Sequence, residues 1–159
     1  MKVRGMKERL IVGVQWEGTF EEAGKGKLRE MIEEVKSRMT EIKGKINETE
    51  FIGVSFHDRR GGFTQYAGWE VEQGEEVPAG MARCVLPEGK YAIYKHDKNN
   101  QIKDTYTELV QIIEDKGLTP LKPEEVDLYD DLPIKIELYS LDKLLDEELE
   151  CEIHIPVIK

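Results

Sequence analysis

Along the chain, apolar positions recur with two periods, and each change of period predicts a change of element. Residues 9–16 (RLIVGVQW) are apolar and β-branched, which predicts a buried strand. A Gly-containing stretch, residues 18–26, follows. From Leu28, the apolar positions Leu28, Met31, Ile32, Val35, Met39 and Ile42 keep the three-four spacing of one helical face, with Gly44 as its stop. Residues 50–57 (EFIGVSFH) and 63–72 (FTQYAGWEVE) read as strands joined by the turn Arg59-Arg60-Gly61-Gly62. The order of the first half is therefore β-α-β-β. Residues 73–80 (QGEEVPAG) form a connector.

The second half repeats that order. Residues 81–86 and 91–96 are strand-like, with Pro87-Glu88-Gly89 as a turn between them. Thr105-x-x-Glu108 has the form of a capping box and predicts a helix burying Tyr106, Leu109, Val110 and Ile113, closed by Gly117. After a loop over residues 119–133, residues 134–139 (IKIELY) and 150–158 (ECEIHIPVI) alternate with period two. Leu141, Leu144, Leu145 and Leu149 between them have helical spacing. The expected fold class is α+β: two tandem β-α-β-β units in one domain, residues 1–159, with pseudo-repeats at about 8–73 and 80–159 and one helix laid across each antiparallel sheet.

Composition narrows the function. With 39% hydrophobic and 35% charged residues in 159, the chain reads as a folded, soluble domain. No apolar run reaches the roughly 18 residues of a membrane span, and Met1 to Arg9 has no secretory pattern. These features predict a cytoplasmic protein without membrane partners. Lys plus Arg is 23 against 33 Asp plus Glu, a net charge of −10, so direct nucleic-acid binding is not expected. Cys84 and Cys151 match no metal spacing and read as buried thiols in strands. His57, His96 and His154 form no metal pattern, and no nucleophile motif accompanies His57-Asp58. Gly24-Lys25-Gly26-Lys27 lacks the full phosphate-loop pattern. No cofactor is expected.

A set of motifs in order carries a family resemblance: Tyr66-Ala67-Gly68-Trp69-Glu70-Val71, Glu76-Val77-Pro78-Ala79-Gly80-Met81, and Leu86-Pro87-Glu88-Gly89-Lys90-Tyr91-Ala92-Ile93-Tyr94-Lys95-His96. Thr105-Tyr106 in the second helix, and Ile136-Glu137-Leu138-Tyr139 ahead of Ile153-His154-Ile155-Pro156-Val157, complete it. From about residue 60 onward the chain resembles the GyrI-like small-molecule-binding domains. That family includes gyrase-inhibitor proteins and the effector-binding parts of multidrug-responsive regulators such as BmrR and Rob. The resemblance implies the duplicated fold with a ligand groove between its halves. It also implies a pocket Glu at Glu137; a competing alignment puts Asp127 of Val126-Asp127-Leu128-Tyr129 there, but its distance to Pro156 is about ten residues too long. Two departures stand out: His96-Asp97-Lys98 lacks the family's Gly, and the first helix carries no Trp.

In IKIELY, Ile134, Ile136 and Leu138 face one way, expected to lie under a helix, and Lys135, Glu137 and Tyr139 face the other. A carboxylate among rings welcomes a cation. The candidate ligand-binding residues are therefore Glu137, Tyr139, Tyr66, Tyr94, Trp16 and Trp69. The ligand expected is a small molecule, cationic or amphipathic and drug-like. Without an appended helix-turn-helix, the chain is expected to be a stand-alone sink or sensor in transcription regulation or toxin resistance. A hydrolase of reactive cyclopropane-type electrophiles remains the alternative, with Glu137 as catalytic acid/base and Tyr139 assisting. A gyrase-inhibitor-like role toward a protein partner ranks below both.

Overall fold

The computed structural model describes residues 1–123, 129–143 and 150–158. Asp127 therefore lies outside the described residues, as do Leu144, Leu145 and Leu149 of the expected short helix; Leu141 opens a 3₁₀ turn, Leu141–Lys143.

The strands are β1 (Lys2–Met6), β2 (Arg9–Thr19), β3 (Glu50–Arg59), β4 (Gly62–Val71), β5 (Ala82–Leu86), β6 (Gly89–His96), β7 (Thr119–Pro120), β8 (Ile134–Ser140) and β9 (Cys151–Ile158). The helices are α1 (Phe20–Glu22), α2 (Leu28–Ser37) and α3 (Ile102–Asp115). The strands form one antiparallel sheet in the order β1-β6-β9-β8-β3-β4-β2-β5, with β7 beside β9. Read outward from its centre, this order is symmetric. The unit β2-α2-β3-β4 contributes β3-β4-β2, and β6-α3-β8-β9 contributes β8-β9-β6. The two units meet where β3 pairs with β8. The strand ahead of each unit crosses to the other one: β1 pairs with β6, and β5 pairs with β2.

Two helices on one sheet face leave a seam. Met31 and Val35 of α2 bury against Leu10, Val12, Phe51, Ala67 and Trp69. Leu109 and Ile113 of α3 bury against Ala92, Ile153, Ile155 and Val157. The opposite face buries Ile11, Ile52, Val54, Leu86, Tyr91, Ile134 and Ile136 against one another, because the sheet curls. The curl requires close approach between β2 and β4. Gly13 sits opposite Gly68, and a Cβ on Gly13 would stand 1.9 Å from the Ala67 carbonyl oxygen.

This layering corrects one expectation. Ile134, Ile136 and Leu138 do not lie under a helix; they belong to the helix-free layer, and Lys135, Glu137 and Tyr139 share the helix-bearing face. Period two separates the faces of a strand but carries no information on which face a remote helix covers.

Local departures have local causes. Strand β1 was not predicted. The Gly-containing stretch opens with α1, whose Thr19-x-x-Glu22 capping box is reciprocal: Glu22 N donates to Thr19 Oγ1 at 3.1 Å, and Thr19 N donates to Glu22 Oε1 at 3.0 Å. A π-helical stretch, Ala23–Lys27, then kinks at Gly26, with φ +100°. Helix α2 ends at Ser37, whose hydroxyl donates to Glu34 O at 2.6 Å, and Ile42 is buried from an extended backbone rather than a helical one. Helix α3 begins at Ile102, so Thr105 is no cap. Its buried hydroxyl lies 2.7 Å from His96 Nδ1 instead.

Both cysteines are free and buried, their thiols pushed up to about 12, foremost by burial. No helix among the described residues is long and apolar enough to cross a membrane. The described residues contain no cluster of three or more His, Cys, Asp or Glu able to hold a metal ion.

Candidate functional site

The seam between the two units opens into a cleft of about 840 Å³ on the helix-bearing face. Its floor is set by strand register. Across β4, β3 and β8, Ala67, Gly53 and Glu137 form one row, and Gln65, Ser55 and Lys135 form the next. Phe51 and Tyr139 pair beyond the first row, while Phe63 and His57 lie beyond the second. The walls come from Phe20 of α1, Ala23, Leu28 and Ile32 on one side, and from Ile102 and Tyr106 of α3 on the other. Residues 98–101, which lead into α3, complete the rim.

Glu137 is half-buried and is the one carboxylate among the described lining residues. Its Oε2 accepts a hydrogen bond from Tyr106 and its Oε1 accepts one from Tyr139. Each phenol is held well above its ordinary pKa by burial first and then by the Glu137 charge. Both hydroxyls thus remain donors at any physiological pH. Gly53 stands opposite Glu137, so nothing projects over the carboxylate from that strand.

Besides Lys98 on the rim, the described lining holds one further cation, Lys135. Its ammonium is 3.1 Å from Asp130 Oδ2 and 5.0 Å from the centre of the Tyr106 ring. The pair with Asp130 offsets its charge. His57 is buried between Phe20 and Phe63, with ring centroids at 5.9 and 5.7 Å. Burial, and then Lys135, lower its pKa to about 4, so it is neutral at pH 7. Its Nε2 is 3.4 Å from Ser55 Oγ.

Of the six residues predicted to bind ligand, the cleft brings together Glu137 and Tyr139. Trp69 is fully buried beneath α2, where its indole N–H donates to Glu48 O at 3.2 Å. Trp16 stacks obliquely on Phe63, 5.3 Å between centroids, behind the lining. Tyr66 lies on the helix-free face, edge-on to Phe56 at 5.9 Å. Tyr94 is half-buried beside α3, its hydroxyl meeting Glu108. These four do not line the cleft.

Sequence reasoning missed Tyr106, Phe20, Phe51, Phe63 and His57 as lining residues. Parity supplied a signal for some. Phe51 and His57 share their strand face with Gly53 and Ser55, a run too small and polar for ordinary core. Tyr106 stood in the Thr105-Tyr106 motif, but nothing local tied it to Glu137, which lies 31 positions away.

Comparison with known proteins adds to this geometry. The Cass2 family, described as integron-associated effector binding proteins, matches residues 4–157. The transcriptional regulator BrlR of Pseudomonas aeruginosa is 26% identical over 165 residues, covering 98% of this chain; the chain spans 57% of that regulator's length. The EcmrR C-terminal domain shares the fold with a TM-score of 0.68 at 15% identity, over 99% of this chain and 96% of its own. SAV2435, solved bound to tetraphenylphosphonium, gives a TM-score of 0.64 at 13% identity, over 99% and 93%.

Proposed function

This chain belongs to the Cass2 family of integron-associated effector binding proteins, and on that basis we propose that its central cleft takes up a lipophilic, positively charged small molecule. Glu137 supplies the counter-charge, and the rings of Phe20, Phe51, Phe63, Tyr106 and Tyr139 supply the walls.

One observation carries this reading: a single carboxylate, held at both oxygens by tyrosine hydroxyls, on the floor of a ring-walled cleft. The cleft's volume falls in the range of small-molecule sites, roughly 300–1,000 Å³. A carboxylate partly withdrawn from water attracts a cation more strongly than a surface one does. Each aromatic face adds about 0.5–2 kcal/mol for a cation seated against it. The tyrosines prepay the orientation of the carboxylate, which lowers the ordering cost of binding. The tetraphenylphosphonium complex of SAV2435 supports the same ligand class.

In this reading the chain is a binding module. It acts as a ligand sink, or as a sensor that passes its bound state to a partner in transcription regulation or toxin resistance. Calorimetry with tetraphenylphosphonium and with neutral triphenylphosphine oxide tests it. The cation binds wild type at least tenfold tighter than it binds Glu137→Gln, the neutral compound shows no such difference, and mass spectrometry recovers the cation unchanged. Equal affinity of wild type and Glu137→Gln for the cation overturns the reading.

A further inference from the structure

The cleft floor is polar in two places, and the cation reading uses one of them. One row is Ala67–Gly53–Glu137 and the next is Gln65–Ser55–Lys135, both set by the pairing of β4, β3 and β8. Positions two apart on a strand are roughly 7 Å apart. The floor thus sets the carboxylate and the Ser55 hydroxyl in adjoining rows at about that separation, with the Gln65 carboxamide reaching over Gly53 between them.

The second row is poorly satisfied by the protein itself. Gln65 lays its carboxamide over the gap left by Gly53, with Nε2 2.9 Å from where a Cβ would stand there. That Nε2 has a 3.3 Å bond to Tyr66 O, near the long limit for N–H···O. The Ser55 hydroxyl contacts His57 Nε2 at 3.4 Å, longer still. The buried Nδ1 of His57 makes no hydrogen bond among the described residues and faces Asp130 Oδ2 at 3.7 Å, while Nε2 is the nitrogen turned to the row. Half-buried polar groups with such weak bonds gain from an added partner. Lys135 at the end of the row is already paired with Asp130 at 3.1 Å, so the donors left to a ligand are those of Ser55 and Gln65.

We propose that the cleft is specific for two-headed ligands: a cationic group at Glu137 and, about 7 Å from it, a hydrogen-bond acceptor taken by Ser55 with Gln65 beside it. This rests on the cation reading and adds the acceptor. Simple lipophilic cations fill the first position and leave the second unpaired.

Two probes of matched shape separate the claims: 4-acetylbenzyl-trimethylammonium, which carries a ketone, and 4-isopropylbenzyl-trimethylammonium, its apolar isostere. By calorimetry the ketone binds wild type about five- to tenfold tighter, the fold-change of one net hydrogen bond. In Ser55→Ala/Gln65→Leu, checked for folding by circular dichroism, the ketone's advantage over the isostere disappears. Equal binding of the two probes to wild type overturns the acceptor row and leaves the cation reading standing, a result that needs no variant. Retention of the ketone's advantage in the folded double variant does the same. Failure of both probes to bind wild type overturns the cation reading and this proposal with it.

Discussion

The phenol of Tyr106, on the first turns of α3, donates a hydrogen bond to Glu137 on β8, 31 positions later in the chain. That bond ties the second unit's helix to the central seam, and it makes the carboxylate's orientation depend on the packing of α3. Tyr106→Phe removes it and keeps the ring. The expected outcome is a three- to tenfold loss of affinity for tetraphenylphosphonium, with thermal stability lowered by about 1 kcal/mol. Calorimetry and a melting curve on the same sample check both parts.

Gly53 on β3 and Gly13 on β2 flank β4 in the sheet and respond oppositely to substitution. At Gly53 a Cβ meets the movable end of Gln65 at 2.9 Å, so Gly53→Val is tolerated and fills the floor opposite Glu137. Stability stays within about 1 kcal/mol while cation binding falls at least tenfold. At Gly13 the new Cβ meets the Ala67 backbone oxygen at 1.9 Å, so Gly13→Ala costs about 3 kcal/mol or more. Urea unfolding of the two variants separates the cases.

Acid weakens the fold through His57. Its folded pKa of about 4 lies below the unfolded value, lowered by burial and then by Lys135, against the smaller opposing pull of Asp130 and Asp58. The unfolded chain therefore binds more protons between those values. The contribution is complete above pH 6.5 and is lost as pH falls toward 4, up to about 3 kcal/mol. His154, also lowered by burial, adds a slope of the same sign. Urea midpoints between pH 7.5 and 4.5 fall with pH in wild type, and fall less in His57→Phe.

Both thiols resist modification in the folded protein. Cys84 lies in the helix-free layer and Cys151 under α3, each buried with its thiol near 12. Thiolate is the reactive form. A disulfide-exchange reagent at pH 8 leaves both unlabelled over the time in which it labels both in urea.

Neither tryptophan lines the cleft, but each touches a ring that does: Trp16 meets Phe63 at 5.3 Å and Trp69 meets Phe51 at 5.4 Å. Ligand binding therefore shifts the emission of Trp69→Phe and of Trp16→Phe alike. An unchanged emission in either variant contradicts the placement.

By itself the sequence determined the two main helices, most of the strands and their repetition, and it offered Glu137 as the candidate acid. Period two in IKIELY, period 3.6 from Leu28, the turn at Gly61-Gly62 and the stop at Gly117 are signals written over spans of a few residues, and they marked strand, helix and turn without reference to the rest of the chain. The motifs around Trp69, Tyr91 and Glu137 carried the family. Only the tertiary structure decided which face of β8 is buried against helices, which rings wall the cleft, and which donors reach Glu137. Tyr66 and Trp69, three positions apart in one strand, fall on opposite faces by alternation, but which of the two lies beneath α2 was decided by the packing of that helix. Those outcomes depend on the curl of the sheet, on strands β1 and β5 exchanged between units, and on pairings between residues tens of positions apart, and none of these leaves a trace in local periodicity.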